Sequence, residues 1–326
     1  MLELQLGEYV PAALNVAIHF GVLDALDHST DLSEISASLD LDRECLERLL
    51  QLLAASTILL RRSNGKYVVD AQFRDFVTWS GPLFIGSATA RSTGNIAYQK
   101  LVAGISGDAT RIRETFCQRW RRGLISEEEA RGFLFGMHRH IMAPMLEQVR
   151  SRIFDGIPAI VDAGGGSGAL AVALSLEESA VSPPLITIMD LDNICVASSK
   201  MNSTFGMDRI RYHPSNFFVD PWVYGEAYHF SNILHDWPEL EITFLLKRAY
   251  DHMPTGGVIF IHEALLDTPE PTPISTHVLH LLIYIHSGGG KLLQQQVFML
   301  LQGVGFADPE VIHRFSIYST IRATKP

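Results

Sequence analysis

The segment around residue 165 combines a glycine turn with residue types that bind a charged ligand. A predicted strand, Ala159–Val161, leads into the turn DAGGGSG at Asp162–Gly168, and the alanine- and leucine-rich segment Ala169–Leu176 predicts a helix. Glycines let the backbone approach a ligand closely, and the free N–H groups at a helix start carry partial positive charge. The turn therefore predicts a site for a carboxylate or a phosphate group at Gly164, Gly166 and Gly168.

Two aspartates stand where they can complete this site. Asp162 comes two residues before the first glycine of the turn, and we expect it to face an ammonium group of the ligand. Asp190 follows the next predicted strand, Leu185–Met189, at the place where a carboxylate holds ribose hydroxyls in dinucleotide-binding folds. The spacing from Gly164 to Ala169 also fits a nicotinamide fingerprint, so these residues alone leave the nucleoside cofactor open.

The string His235-Asp236-Trp237 follows another predicted strand, Tyr228–Ile233. Ligands bind at the carboxyl ends of the strands in open α/β sheets, so we expect the string at such an edge. A neutral imidazole can take a proton from a hydroxyl group. His235 is therefore a candidate general base, and the alternative is a histidine that caps a helix or packs in the core.

A metal site is another interpretation of the same residues. His286, in the string Ile283–Gly288, adds a second imidazole to His235 and Asp236. Two imidazoles and one carboxylate form the ligand set of open-sided metal sites. The chain has 13 histidines and offers many such triples, so the ligand types alone leave this site as one alternative.

The C-terminal half of the chain has the pattern that would position these residues. Residues 151–326 alternate predicted strands and helices, which is typical of an α/β protein with a doubly wound, Rossmann-like parallel sheet. Further predicted strands are Ala227–Phe230, Val258–Ile261 and Ser316–Ala323. Residues 91–150 predict a helical connector that covers the substrate pocket.

Residues 1–90 predict a mainly helical winged-helix domain. A helix at Cys45–Ala55 with a broad leucine face precedes a hairpin at Ile58–Val69. Such a module binds DNA or mediates dimerisation. Glu44 and Glu47 lie on the helix that would enter a DNA groove, and the acidic chain repels phosphates, so the pattern favours dimerisation.

The composition is that of a globular protein and argues against several partners. Apolar residues make up 47% and charged residues 19% of the 326 residues, and the net charge is −10. That charge repels nucleic acid, and the apolar stretch Val278–Ile285 is too short to cross a membrane. The chain shows no leader pattern, and Cys45, Cys117 and Cys195 stand far apart. We therefore expect a cytoplasmic protein without nucleic-acid or membrane partners.

Five ordered strings carry a resemblance to a known family. They are VDAGGGSGALAVAL, IMDLDNI, ILHDWPE, MPTGGVIFIHEALLD and LLQGVGF. In this order and spacing the chain resembles the class I O-methyltransferases of plant phenolic and hydroxyindole type. The resemblance implies S-adenosylmethionine rather than a nicotinamide cofactor, a small-molecule acceptor, and a homodimer whose N-terminal domains interlock.

The resemblance also implies roles for single residues. His235 corresponds to the general base and Glu263 to the first acid that supports it, whereas Lys291 occupies the place of the second supporting acid. The family has Gly-Asp-Phe, with the Asp near the adenine, where this chain has Ser-Asn216-Phe217. Asn216 and Phe217 are therefore candidate cofactor-binding residues.

A subgroup of the family, the α-keto acid C-methyltransferases of peptide-antibiotic pathways, is similar in the string around His235 and in the histidine before the glycine run. That similarity implies iron or zinc at His235, Asp236 and His286. A metal would stabilise the enolate of a 2-keto acid for methylation at C3, in secondary metabolism. We take this as the main hypothesis, and metal-free O-methylation of a phenolic or other hydroxylated acceptor, with His235 as base, as the alternative.

Four residues are candidates for substrate binding. Ser92 and Arg119 would hold a carboxylate of the substrate. Met137 and Trp237 would form apolar walls.

Overall fold

The computed structural model describes residues 6–56, 59–61, 65–84, 95–106, 118–177, 183–203, 210–266, 273–290 and 292–326. The chain forms two compact units. The first combines Met1–Phe116 with Thr268–Lys291, and the second combines Cys117–Asp267 with Leu292–Pro326. The first unit includes a segment from the C-terminal half because a helix of that segment packs with the N-terminal helices. The domain bounds expected at residues 90 and 150 stay a prediction.

The first unit is mainly helical, as the sequence predicts. Its helices and its antiparallel hairpin are, in chain order, α1 Tyr9–His19, α2 Val22–His28, α3 Leu32–Leu39, α4 Arg43–Ala55, β1 Leu59–Arg61, β2 Tyr67–Val69, α5 Ala71–Val77, α6 Ile96–Ile105 and α11 Ile274–Ser287.

Helix α11 belongs to this unit because it packs against α4. The guanidinium of Arg48 in α4 donates to the carbonyl oxygen of His280 in α11 at 3.2 Å and lies 4.5 Å from the ring centre of Tyr284. The Tyr284 hydroxyl donates to Asp42, whose carboxylate also caps α4 by accepting from the N–H of Cys45. The contacts on α4 therefore extend beyond the leucine face that the periodicity indicates.

The second unit is built on a sheet of seven strands. They are β3 Ala159–Ala163, β4 Leu185–Asp190, β5 Ile210–Pro214, β6 Ala227–Ser231, β7 Val258–Glu263, β8 Ala307–Phe315 and β9 Tyr318–Thr324. Their order across the sheet is β5-β4-β3-β6-β7-β9-β8. The first five strands are parallel, which confirms the predicted doubly wound sheet, and β9 pairs antiparallel with both β7 and β8.

Five helices accompany this sheet. They are α7 Glu127–Arg150, α8 Ala169–Leu176, α9 Asp192–Ser203, α10 Glu239–Asp251 and α12 Gln294–Val304. A capping box between Ser126 and Glu129 starts α7. The apolar residues of β6 and β7, among them Phe230 and Ile261, pack with Leu245 of α10 in one buried cluster. The chain therefore brings the carboxyl ends of five parallel strands to one edge, where the predicted site residues follow.

Within the described residues, no single helix has the length and apolar character to cross a membrane, whereas the bent pair α1 and α2 meets those criteria by length and composition alone.

Candidate active site

The glycine turn follows β3 in the conformation that its residue types favour. Gly164, Gly166 and Gly168 have φ angles of 69°, 51° and 73°, in the left-handed region that side chains with a Cβ rarely adopt. A Cβ on Gly164 would also lie 2.4 Å from Cδ1 of Ile233, and one on Gly168 would lie 2.8 Å from Nδ2 of Asn202. Both positions therefore require glycine, and the turn presents its backbone at the edge of the sheet.

The Asp190 carboxylate ties the end of β4 to this turn. One oxygen accepts from the N–H of Gly166 at 3.0 Å and the other from the N–H of Leu191 at 2.7 Å. Burial raises the pKa of Asp190 to about 6, and the nearby charge of Asp162 adds to this rise, while the two backbone N–H groups oppose it. Each oxygen keeps a further acceptor position, which suits the predicted contact with ribose hydroxyls.

Asp162 is buried and bonded to a histidine that the sequence analysis did not single out. The Asp162 carboxylate lies 2.8 Å from Nδ1 of His229, which stands opposite it in the register of β3 and β6. Asp162 and His229 are far apart in the chain, so their contact becomes visible only when β3 and β6 are paired. The predicted contact of Asp162 with a cofactor ammonium group stays a prediction.

These features fit S-adenosylmethionine, which has a carboxylate and an ammonium group at one end and a nucleoside at the other. The first turn of α8 offers backbone N–H groups, Asp190 offers a carboxylate, and Cε1 of Phe217 lies 3.7 Å from a Cβ position on Gly164. The N–H groups of Gly164, Gly166 and Gly168 are themselves bonded to Met189, Asp190 and Gly165. Phe217 therefore stands beside the glycine turn, where a ring can cover a flat or apolar part of a ligand.

Asn216 lies beside Phe217, but its side chain is bonded to the backbone. Its amide nitrogen donates to the carbonyl oxygen of Arg121 at 2.7 Å, and its amide oxygen accepts from the N–H of Phe218 at 3.1 Å. The predicted contact of Asn216 with the cofactor stays a prediction.

The candidate base, His235, lies in a 3-10 helix, Leu234–Asp236, that follows β6. Its Nδ1 lies 2.6 Å from the Glu263 carboxylate at the end of β7. The other oxygen of Glu263 accepts from the backbone N–H groups of Ile233 and Leu234 at 3.0 and 2.8 Å. Glu263 is 1% exposed, so one buried carboxylate fixes both the turn and the imidazole.

The charge state of His235 follows from its neighbours. Burial of the ring disfavours the imidazolium, but attraction to Glu263 and Asp236, with the hydrogen bond to Glu263, outweighs burial and raises the pKa of His235 to about 9. The Asp236 carboxylate lies 3.8 Å from Nε2. Since Glu263 occupies Nδ1, the nitrogen available for proton transfer is Nε2.

The predicted metal site lacks structural support. Among the described residues, which include His235, Asp236 and His286, no group of three or more His, Cys, Asp or Glu side chains is arranged to hold a metal ion. His235 already uses Nδ1 for Glu263, and Nδ1 of His286 lies 3.3 Å from the carbonyl oxygen of Leu282 in its own helix. The iron or zinc that the sequence analysis predicts therefore has no support among the described residues.

Helix α7 contributes two histidines that sequence reasoning missed. Nε2 of His140 lies 2.6 Å from the Tyr318 hydroxyl, and Nδ1 of His138 lies 3.0 Å from the hydroxyl of Ser167 in the glycine turn. Burial, and then the charge of His235, lower the pKa of His140. His140 therefore lies within electrostatic range of the candidate base, although no sequence motif connects α7 with β9.

The predicted substrate residues have different outcomes. Arg119 is half-buried, and its guanidinium bonds Glu129 at 2.7 Å and the carbonyl oxygen of Leu124 at 3.0 Å, so it is engaged within its own segment. Trp237 is half-buried, with its ring centre 4.6 Å from that of Phe218, and Met137 is half-buried on α7. Ser92 and Lys291 lie outside the described residues.

Comparison with protein families identifies the class. The model of the O-methyltransferase domain matches residues 98–307, and that of the O-methyltransferase dimerisation domain matches residues 2–74. The chain therefore belongs to the O-methyltransferase family.

Among curated proteins, the chain is 31% identical to bovine acetylserotonin O-methyltransferase over 169 residues, which are 52% of the chain and 48% of that protein. It is also similar to the 3-hydroxy-5-methyl-1-naphthoate 3-O-methyltransferase of Streptomyces sahachiroi, with 31% identity over 41% of the chain and 39% of that protein. The chain thus spans about half or less of the length of these relatives. A phenazine-1-carboxylate N-methyltransferase of Pseudomonas aeruginosa is 24% identical over 96% of the chain and 92% of its own length.

Solved structures share the fold. An O-methyltransferase family 2 protein of Planctomyces limnophilus, in complex with apigenin, aligns with a TM-score of 0.78 at 20% identity, over 100% of the chain and 95% of its own. Human N-acetylserotonin methyltransferase in complex with S-adenosylmethionine aligns with a TM-score of 0.60 at 24% identity, over 99% and 96%.

Proposed function

We propose that the chain transfers the methyl group of S-adenosylmethionine to a hydroxyl oxygen of a small, hydroxylated acceptor of phenolic type. The observation that carries this proposal is the pair of His235 and Glu263, in which a buried carboxylate holds an imidazole by Nδ1 at 2.6 Å. Membership of the O-methyltransferase family supports it.

His235 removes the acceptor's proton in this reaction. S-adenosylmethionine supplies, when bound, a methyl group on a positively charged sulfur. Nε2 of His235 takes the proton of the acceptor hydroxyl, whose oxygen forms the new bond to the methyl carbon. The carbon–sulfur bond breaks with its electron pair going to sulfur, and S-adenosylhomocysteine leaves.

The pKa of His235 is close to the pKa of a phenolic hydroxyl group. A phenolic hydroxyl ionises near pH 10, as tyrosine does, and the pKa of His235 is about 9. Donor and acceptor therefore differ by roughly one pKa unit, close to the match that favours general base catalysis. Glu263 stabilises the imidazolium that results, since its charge lies 2.6 Å from Nδ1.

Metal-assisted C3-methylation of a 2-keto acid has less support. The described residues contain no cluster of side chains fit for a metal. The curated relatives named above carry O- or N-methyltransferase names. We therefore favour the metal-free alternative that the sequence already allowed.

Two variants separate these functions. The purified protein is incubated with S-adenosylmethionine and a panel of phenols, hydroxyindoles and 2-keto acids, and S-adenosylhomocysteine is quantified for each acceptor. We expect turnover that falls by about 10²–10⁴-fold in His235→Ala and persists in His286→Ala. Turnover of a 2-keto acid but of no phenol or hydroxyindole, lost in His286→Ala and accompanied by metal in the wild-type protein, would establish the keto acid reaction instead.

We also propose that the chain acts as a homodimer. The match of residues 2–74 to an O-methyltransferase dimerisation domain supports this. Light scattering during gel filtration should give twice the mass of one chain, and a monomer mass at micromolar concentration would contradict the proposal.

A further inference from the structure

Residues 118–126, called the strap here, cross the carboxyl ends of β4 and β5. At one end the Asn216 amide, just after β5, donates to the carbonyl oxygen of Arg121. At the other end the Asn193 amide, at the start of α9, donates to the carbonyl oxygen of Ile125. Between them, a Cβ on Gly123 would lie 3.7 Å from Cδ2 of Leu191. Two asparagine amides thus hold the strap against the ends of two neighbouring strands.

Side chains of the strap reinforce this attachment. The Arg121 guanidinium bonds Glu241 of α10 at 3.1 Å and lies 5.2 Å from the ring centre of Phe218. Ile125 is buried with Leu134 of α7 in an apolar cluster, against which Trp120 packs. The strap is therefore anchored by α7 and α10 as well as by the sheet edge.

The strap lies at the end of the site where the nucleoside of the cofactor is expected. Asp190, the candidate ribose ligand, directly precedes Leu191, and Phe217, beside the glycine turn, directly follows Asn216. Nucleosides bind outside the carboxyl ends of parallel strands. A segment fastened across these ends stands over that part of the site.

The identity of residue 216 matters because an asparagine amide can donate a hydrogen bond, whereas an ionised aspartate carboxylate can only accept one. An aspartate at this position could still accept from the N–H of Phe218, as Asn216 does at 3.1 Å. It could not donate to the Arg121 carbonyl, and its negative charge would face that oxygen instead. The asparagine therefore makes one contact that the aspartate of the family pattern cannot make.

We infer that Asn216 is a positioning residue that fastens the strap over the adenosyl end of the cofactor site and slows the exchange of cofactor and product. The inference rests on the proposed function only for the identity of the cofactor. It assigns Asn216 no contact with the adenine, and this separates it from the role that the family pattern implies.

The test compares Asn216→Asp with the wild type by two measurements. Stopped-flow fluorescence measures the dissociation rates of S-adenosylmethionine and S-adenosylhomocysteine, and hydrogen exchange measures the opening of the strap in protein without cofactor. We expect dissociation to be about five- to tenfold faster, the size of effect that loss of one hydrogen bond gives. Hydrogen exchange should also be faster in residues 118–126, while hydrogen exchange in the rest of the second unit should stay unchanged.

Asn95→Asp is the matched control, because Asn95 caps α6 in the first unit and aspartate caps a helix equally well. It adds the same charge and should leave both measurements unchanged. Glu241→Gln loosens Arg121 at an exposed ion pair without touching Asn216, and should change both measurements in the same direction by a smaller factor. This variant keeps the test decisive if Asn216→Asp does not fold.

Three outcomes would overturn the inference. Unchanged dissociation from Asn216→Asp would show that the Asn216 amide does not slow release of the cofactor. Slower dissociation would show that residue 216 contacts the adenine, since a carboxylate accepts from the adenine amino group. An unchanged rate of hydrogen exchange in the strap of a folded Asn216→Asp or Glu241→Gln variant would show that the contacts of these residues with Arg121 do not fasten the strap. Absence of cofactor binding by the wild type would instead contradict the proposed function.

Discussion

Glu263 holds His235 by Nδ1 at 2.6 Å and, through its other oxygen, holds the backbone of the turn that carries His235. Three donors on consecutive residues thus converge on one carboxylate. The imidazole can neither rotate nor exchange the roles of its two nitrogens without breaking this arrangement. Nε2 is therefore kept as the nitrogen that accepts a proton.

Replacing Glu263 by glutamine should test this arrangement without changing its shape. The amide oxygen can still accept from the N–H groups of Ile233 and Leu234, but the amide NH₂ then faces Nδ1 of His235. The ring must accept there and carry its proton on Nε2, so it cannot act as a base. We expect kcat/KM to fall by about 10²–10⁴-fold with little change in cofactor affinity.

Glu239→Gln is the control for this prediction, because Glu239 is exposed at the start of α10. It should keep wild-type kcat/KM. Full activity in Glu263→Gln would show that the tautomer of His235 does not matter for the reaction.

The pH dependence of turnover should report the charge of His235. Only the neutral ring accepts a proton, so kcat/KM should rise with pH and level off above about 9, the pKa of the free enzyme's His235. Asp236→Asn removes one of the charges that raise this pKa, so the profile should move to lower pH with activity retained. A profile that is flat between pH 6 and 9, or a dead Asp236→Asn variant, would contradict this role.

Cofactor binding should weaken as the solution is acidified through about pH 6. Asp190 has its pKa raised to about 6, and protonation removes an acceptor that the ribose hydroxyls need. We expect calorimetry to show a fall in affinity for S-adenosylmethionine below this pH, and a weaker, pH-independent affinity in Asp190→Asn. Equal affinity of wild type and Asp190→Asn would remove Asp190 from the cofactor site.

Gly164→Ala should be more damaging than the same change at Gly256. Both glycines have positive φ, 69° and 81°, so both alanines are strained by about 1–2 kcal/mol. Only the Cβ at residue 164 meets another atom, 2.4 Å from Ile233, whereas nothing lies within 4 Å of the one at residue 256. In denaturant unfolding, Gly164→Ala should lose more stability, and it alone should lose cofactor binding.

The sequence predicts those parts of the site that depend on local pattern. The glycine turn follows β3 and Asp190 ends β4, and parallel strands bring their ends to one edge whatever the details of packing. Glu263, the last residue of β7, was implied only by the family resemblance. Helix Ala169–Leu176 has the predicted bounds, because its run of Ala and Leu begins directly after a left-handed glycine.

Other elements depend on pairings that no local pattern contains. Strands β5 and β8 are missed because both lie at sheet edges and have largely uncovered residues, such as Arg211 and Glu310. Two register shifts also interrupt β8. The contact between His140 and Tyr318 joins residues 178 positions apart, so only the assembled fold shows it.

The predicted metal site shows how ligand types can mislead. His235, Asp236 and His286 have suitable side chains, but the first is already oriented by Glu263. A histidine held by a carboxylate serves a base as well as it serves a metal. The sequence strings around these residues do not separate the two uses, and what favours the base is that no metal-binding group occurs among the described residues.

The atom that receives the methyl group tests the central claim most directly. The enzyme is incubated with S-adenosylmethionine carrying a carbon-13 methyl group, together with the phenols and 2-keto acids of the panel, and the products are examined by NMR. Our account predicts a labelled methyl on a phenolic oxygen, formed by the wild type and by His286→Ala but not by His235→Ala. A labelled methyl on C3 of a keto acid, with the phenols untouched, would contradict it.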